Sequence, residues 1–427
     1  MIDVRRVRQD PDAARAALAR RLDRSALDQL GLVIDLDRRR RDVVTRVEHL
    51  QAQRNTQSAE VARRKQHRED ATELLGELKQ SAETVRQLES DLKDVEALLD
   101  LHLLNVPNFL LAGVPDGEAS ANRVARTWGT PREFSFAPKP HWELGVELEL
   151  FDLPRGAKIT GSGFPLFTGT GARLVRALTN FLLDMHTREH GYLEVHPPIL
   201  VNRASLIGTG QLPKFEDDLY RTTGDELFLI PTAEVPLTNI YRDEILDAAA
   251  LPVALVAHTP CFRREAGAHG KDTRGLIRVH QFDKVELVRL VRPETSEAEH
   301  ALITSHAERV LQLLDLPYRV VDLAAGDTGF HSACTVDLEV WAPGVGAWLE
   351  VSSSSTFTDF QSRRAGIRYR ASAGAKPEFV HTLNASGVAF PRTIVALLEH
   401  GQQADGSVLL PASLVPYVGT DRLSPRS

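Results

Sequence analysis

Cysteine is nearly absent from this 427-residue chain: Cys261 and Cys334 are the only two. They lie far apart and form no C-x-x-C pair or Cys/His ligand spacing, which sets aside a disulfide framework and a structural zinc site and points to a reducing compartment. Long apolar runs are also missing. No stretch reaches eighteen uninterrupted apolar residues, and the first residues, MIDVRRVRQDPDAARAAL, carry charge where a secretion signal carries an apolar core. Neither a membrane anchor nor a secretion signal is expected, and the cytoplasm is the expected location. An excess of positive charge is lacking too. The formal net charge is -7, so a polyanion would have to bind at a local basic patch and not over the whole surface.

Glycine is scarce where helix is expected. Residues 1 to 105 hold only Gly31 and Gly76. From Leu78 an apolar seam recurs at heptad spacing: Leu78, Val85, Leu92 and Leu99 in one register, Leu88, Val95 and His102 in the other. The preceding stretch offers Val43, Val47, Leu50 and Val61, with Arg54 and Gln57 on the same stripe. Two long helices joined by a polar turn near Gln66 to Asp70 make an antiparallel coiled-coil hairpin reaching roughly 45 Å at 1.5 Å per residue. The charges are divided between them. The ascending helix is basic, with Arg38, Arg41, Arg54, Arg63 and Arg64 among its cations, and the descending helix is acidic. Opposite charges beside a seam fix antiparallel pairing. A protruding basic helix also suits a phosphate backbone.

A proline-containing linker without periodicity runs over 106–140, and a second domain, 141–427, alternates strands and helices. Gly171 to Glu189 reads as an amphipathic helix. It leads into a strand through Tyr192 to Val201 that contains Pro197 and Pro198. Ala257–Phe262 and Gly275–Val288 read as a hairpin around the basic, Gly-containing loop Glu265 to Arg274, which suits a polyphosphate. A further helix spans Arg392 to His400. Thr420 to Ser427 reads as a frayed tail.

Four segments carry polar chemistry in a fixed order: PTAEVPLTN (231–239), CFRREAG (261–267), LEVSSSS (349–355) and HTLNASGVAFPRT (381–393). With HWELG (141–145), GTGQLPKFEDDLY (208–220) and DTRGLIR-HQFDKVE (272–286), they resemble the bacterial-type seryl-tRNA synthetases of class II over essentially the whole chain. The resemblance implies an α+β fold: an antiparallel β-sheet catalytic domain behind an N-terminal coiled-coil arm. It implies that serine and ATP give seryl-adenylate and pyrophosphate, and that the seryl group then passes to tRNA(Ser). It places Arg263 on the α-phosphate and Arg392 on the γ-phosphate as the catalytic pair. It places Glu265 and Phe282 on the adenine, and Glu350 and Ser353 on a divalent cation, Mg2+ or Mn2+. Thr232, Glu234, Arg263, Glu286, Asn384 and Ser386 would line the serine pocket. Arg38, Arg41, Arg54, Arg63 and Arg64 would grip the variable arm of the tRNA, and Pro198 would lie at a homodimer interface.

These roles are physically coherent. Attack by the serine carboxylate on the α-phosphate joins two anions, so arginines and a hard cation must screen charge, and no protein nucleophile or general base is required. A pocket that hydrogen-bonds the serine hydroxyl can reject alanine by roughly 10⁴. His280, among the motif 2 residues, reads as a packed or phosphate-side histidine. Several positions depart from the family pattern: Cys334 and Val336 ahead of Asp337, Ser354 and Thr356 in the serine run, and Ala385 and Pro391 beside Asn384 and Arg392. They suggest substrate-side changes in a specialised duplicate copy with altered inhibitor tolerance. Two further readings are a ligase charging serine or a similar amino acid onto a non-tRNA acceptor, and an inactive scaffold held by its coiled coil.

Overall fold

The computed structural model describes residues 1–266 and 274–425; most of the basic loop read from the sequence, and the last two residues, lie outside the described residues. It divides into two compact units, one of residues 2–19 and 23–107, the other of Met1, residues 20–22 and 108–427.

In the first unit, short helices Val4–Gln9 and Pro11–Ala19 precede α1 (Arg24–His67) and α2 (Thr72–Leu103). The Asp23 carboxylate caps α1 by accepting from Ser25 N and Ala26 N, and Arg68 in the left-handed region ends it. The seam buries Val43 and Val47 against Leu88, with Leu50 and Leu92 half-covered. Val85, Val95 and Leu99 continue it. Toward the turn the seam thins, and Arg54, Gln57 and Leu78 are only half-buried. Polar pairs take over there: Gln57 donates to Glu77 at 2.8 Å across the two helices.

In the second unit, eight strands form one sheet: β1 (Arg123–Trp128), β2 (Leu193–Glu194), β3 (Val253–Phe262), β4 (Gln281–Val291), β5 (Tyr318–Asp322), β6 (Cys334–Ala342), β7 (Ala347–Thr358) and β8 (His381–Ala389). Their order is β1-β5-β6-β7-β8-β4-β3-β2, antiparallel apart from the parallel β2–β3 pair. Strand β1 arises inside the stretch read as linker. The helices that matter to the site are α3 (His141–Glu147), α4 (Gly169–Arg188), α5 (Ser296–Leu313), α6 (Phe360–Ala365) and α7 (Phe390–Gly401).

The pleat sorts this sheet into two faces. Val285, Leu287, Leu338, Val351 and Ala385 join the main core with Leu178 and Phe181 of α4, Ile303 and Ala307 of α5, and Ile394 of α7. Lys284, Glu286, Asn384 and Ser386, the alternating neighbours on β4 and β8, point the other way. Where polar residues follow one another at every second position, an antiparallel sheet becomes a floor for ligands and a lid for the core.

Three elements differ from the sequence reading. The strand through Tyr192 to Val201 is broken, because Pro197 and Pro198 lie between β2 and a separate strand, Leu200–Asn202. Each proline removes a ladder donor. The returning hairpin strand begins at Gln281 and not at Gly275, since Gly275 turns with φ +64 and His280 N donates out of the ladder to Gly163 O. The tail is not frayed throughout: Arg422–Leu423 pairs with Val408–Leu409.

Leu178, fully buried under the sheet, carries the packing of α4. Leu178→Ala is expected to lower the unfolding free energy by about 2–5 kcal/mol, measured by urea denaturation. A loss below 0.5 kcal/mol would show that α4 does not anchor this core.

Candidate active site

The ligand face of the sheet opens into an acidic well. Asn384 on β8 donates through Nδ2 to Glu234 Oε2 at 3.0 Å and to Glu286 Oε1 at 2.8 Å. Glu286 is on β4, two residues from Lys284, so their side chains share a face and form an ion pair. Lys284 Nζ also donates to Thr232 Oγ1 at 2.9 Å. Glu234 opens the short helix Glu234–Asn239, and its second oxygen accepts from Gln361 Nε2 of α6 at 2.6 Å. Thr382 in turn donates to Gln361 Oε1 at 2.7 Å, holding the amide in that orientation. Burial, and then the charge of Glu286, push Glu234 up to about 7. Burial also raises Glu286, against the pull of Lys284. Asn384 Oδ1 is buried and has no partner among the described residues. Two carboxylates, one ammonium and an unpaired carbonyl oxygen make a well that suits a small cation bearing further hydrogen-bond donors.

A basic shelf adjoins the well. The Arg263 guanidinium lies 5.1 Å from the centroid of the Phe282 ring, and its Nε donates to Pro231 O at 3.3 Å. Its backbone is locked twice by His280: Arg263 N donates to His280 O at 2.8 Å, and His280 Nδ1 contacts Arg263 O at 2.9 Å. His280 stacks on Phe164 at 5.4 Å, so it is the packed histidine of the sequence reading. Glu265 pairs with Arg278. Arg392, in the first turn of α7, reaches Glu350 O at 2.8 Å and Glu350 Oε2 at 2.7 Å. Arg263, Glu265, Phe282, Glu350, Ser386 and Arg392 line one cavity of about 70 Å³. Arg263 and Glu265 also border its neighbour of about 470 Å³, which Thr232 and Glu234 line. The two guanidinium groups expected at the phosphates therefore share one site with the acidic well beside it.

Ser353 is brought to the same side by a bulge. Glu350 opposes Glu339 and Ser353 opposes Asp337, with a register shift between Glu350 and Ser352. Residues three apart in a regular strand face opposite ways; the extra residue restores them to one face. Asp337 Oδ1 is buried without a partner among the described residues, and burial and then the charge of Glu350 raise its carboxyl. This hard-oxygen set fits a divalent cation. Among the described residues no cluster of three or more His, Cys, Asp or Glu side chains could hold a metal by itself.

Among the residues the sequence reading missed, Lys284 was within reach of strand alternation from Glu286. Arg278 stands inside the DTRGLIR run, but nothing there marks its pairing with Glu265, 13 residues away, and Gln361 had no local signal because its partner is 127 residues away. On the first unit, Arg38 and Arg41 are exposed, and Arg54 is half-buried over the seam. Arg41 pairs with Asp37 at 3.2 Å, and Arg63 and Arg64 pair with Glu60 at 2.8 and 3.0 Å.

The first residues of the chain, 1–110, match the model of the seryl-tRNA synthetase N-terminal domain, and 214–401 match that of the tRNA synthetase class II core domain (G, H, P, S and T). The serine–tRNA ligase of Gemmatimonas aurantiaca is 57% identical over 98% of this chain and 99% of its own. The chain belongs to the seryl-tRNA synthetase family. The seryl-tRNA synthetase of Pyrococcus horikoshii, solved with ATP, superposes with a TM-score of 0.97 at 35% identity and covers 100% of both chains. The cytoplasmic serine–tRNA ligase of Naegleria fowleri, solved with AMP, gives 0.90 at 27% identity over 100% of this chain and 99% of that one. This synthetase is a class II serine–tRNA ligase that uses ATP. A non-tRNA acceptor and an inactive scaffold are not favoured.

The specialised-copy reading loses its ground as well. Cys334 and Thr356 line a cavity against α5, on the core side of the sheet. Thr356 Oγ1 meets Ser296 Oγ there at 3.4 Å. Ala385 is in the main core. Only Pro391 borders the Arg263–Arg392 cavity. It stands in the first turn of α7, where a missing N–H breaks no intrahelical bond.

A carboxyl that titrates at about 7 must be ionised to hold an ammonium group. Serine binding without ATP should level off near pH 8, be about twofold weaker at pH 7 and weaken toward tenfold per pH unit below that, read by calorimetry at pH 6, 7 and 8. An affinity unchanged across that range would remove Glu234 from the ammonium site.

Proposed function

We propose the following division of labour for the ligase reaction. Serine enters the acidic well, with its ammonium group between Glu234 and Glu286. Asn384, Ser386 and Thr232 hold its polar atoms, and Lys284 offsets part of the repulsion between the two carboxylates. ATP lies on the shelf: adenine by Phe282 and Glu265, α-phosphate at Arg263, γ-phosphate at Arg392. The serine carboxylate attacks the α-phosphorus in line, pyrophosphate leaves, and seryl-adenylate remains. The terminal ribose of tRNA(Ser) then takes the seryl group from the adenylate. No side chain need accept a proton from the carboxylate nucleophile, so catalysis rests on position and charge. Glu350 and Ser353 would hold a divalent cation, Mg2+ or Mn2+, which supplies charge screening at the phosphates. The single observation behind this reading is the shared cavity of Arg263 and Arg392, open beside the Glu234–Asn384–Glu286 cluster.

Serine-dependent ATP–pyrophosphate exchange tests it. Arg263→Ala and Arg392→Ala should each lower exchange by roughly 10²–10³ with unchanged thermal stability. Exchange within a few-fold of the parent would overturn the assignment of either arginine.

We infer further that α1 supplies the contact to the tRNA, that the working form is a homodimer with Pro198 at its interface, and that it acts in the cytoplasm. Among the described residues no helix is long and apolar enough to cross a membrane. Arg38 and Arg54 are the best placed to bind phosphate, since no ion pair with an acid among the described residues occupies them, unlike Arg41, Arg63 and Arg64. Arg38→Ala with Arg54→Ala should raise KM for tRNA and reduce the log KM–log salt slope by about one unit per lost contact. Pyrophosphate exchange should stay at the parent rate. An unaltered salt slope would place the tRNA elsewhere.

A further inference from the structure

His141 is fully buried at the start of α3, and it meets Glu399, equally buried near the end of α7. Glu399 Oε1 accepts from His141 N and faces His141 Nδ1, each at 2.9 Å. Its other oxygen accepts from Gly344 N at 2.8 Å and Val345 N at 3.1 Å. With the carboxylate an acceptor only, the ring proton must be on Nδ1. That leaves the Nε2 lone pair free to accept, and Leu276 N donates to it at 3.0 Å. The approach is close enough to forbid a side chain at the preceding residue: a Cβ on Gly275 would come within 2.2 Å of Nε2.

The next residue carries the link into the site. Ile277 O accepts from Arg392 Nε at 3.0 Å. Arg392 and Glu399 are seven residues apart on α7, two turns and therefore the same side of the helix. One helix thus clamps the returning hairpin segment twice, at Ile277 through Arg392 and at Leu276 through the Glu399–His141 relay. The clamped segment continues through Arg278 and Val279, which line the cavity with Phe282.

We propose that His141, as the neutral Nδ1–H tautomer fixed by Glu399, is a positioning residue for ATP. It holds residues 276–279 in register, so that Arg392 presents its remaining N–H groups to the phosphates. The inference deepens the assignment of Arg392 to the triphosphate and rests on it. The serine well takes no part in the relay, so the expected defect is confined to the nucleotide.

His141→Asn keeps a group near Nδ1 for Glu399 but cannot reach Leu276. His141→Gln places an amide oxygen near Nε2 and can accept from Leu276. In pyrophosphate exchange, His141→Asn should raise KM for ATP by roughly tenfold or more. KM for serine, and transfer from preformed seryl-adenylate to tRNA, should stay within about twofold. His141→Gln should recover most of the loss. Equal rises in both KM values, no rise in either, or no recovery by Gln would overturn the proposal. If the Asn variant does not fold, the 15N spectrum of histidine-labelled parent enzyme still decides: an Nδ1–H ring supports the relay and an Nε2–H ring refutes it. Arg392→Ala separates the two levels. If it leaves KM for ATP unchanged, the triphosphate assignment itself fails; if it raises that KM while His141→Asn does not, only the relay fails.

Discussion

The pleat of three adjacent strands, β7, β8 and β4, is the constraint on which the site depends. Successive residues must face opposite ways, so a strand that lines both a core and a ligand site alternates apolar and polar residues. Asn384 and Ser386 face the well, and Ala385 between them faces α5. Beside the site the alternation is interrupted twice, once in β7 between Glu350 and Ser352 and once in β8 between Ser386 and Val388; a third shift, between Thr356 and Thr358, lies farther along β7. The first interruption puts Glu350 and Ser353 on one face. The second returns Val388 to the core and Ala389 to the cavity, one turn before Arg392. Gly387 occupies that second break, where a Cβ would press within 3.0 Å of His186 Nε2 and 3.1 Å of Val285. Bulges beside a site re-aim side chains that a regular ladder would waste.

Charge follows from the same placement. Two buried carboxylates face each other across Asn384, and among the described residues only Lys284 of the cations pairs with either of them. An arrangement short of positive charge raises carboxyl pKa values and destabilises the empty site. A ligand that brings its own ammonium relieves this, so part of the binding free energy is relief of repulsion already present. On the adjoining shelf Arg263 and Arg392 show the opposite imbalance toward a polyphosphate. The reacting carboxylate and the α-phosphate would meet at the boundary between the two fields, the place where two anions can approach with least repulsion.

Much of this was legible in the chain because local patterns carry it. The long helices announced themselves through heptads and the absence of glycine. The hairpin, the α4 and α7 helices and the polar strand segments carried periodicity or motif. The well and shelf residues were legible only through resemblance, since nothing in the spacing of Glu234, Glu286 and Asn384 says that they touch. What stayed hidden was whatever depends on register. Alternation could not foresee a bulge, so the shared face of Glu350 and Ser353 was invisible from their separation of three. Gln361, Arg278 and Glu399 act through partners remote in sequence or across a turn. Pro197 and Pro198 were visible, but a strand read through them ignored the two lost ladder donors.

The face assignment also explains why the departures from the family pattern group as they do. Cys334, Thr356 and Ala385 touch helix α5 or the core, where the requirement is volume and satisfied hydroxyls. Thr304 Oγ1 reaches Ser354 Oγ at 2.8 Å, and His300 Nε2 meets Ser354 O at 3.1 Å, so this side of β7 is stitched to α5 by small polar groups. A swap among small residues there changes packing and leaves the ligand face intact. Ala385 puts a buried methyl on the strand carrying Asn384 and Ser386, and alanine restricts the unfolded chain more than glycine would, by about 0.4–1 kcal/mol. The groups that the strand presents to the pocket are the same either way. Pro391 acts in the same sense at the next element: its fixed φ preorganises the first turn of α7, the turn from which Arg392 reaches both Ile277 and Glu350.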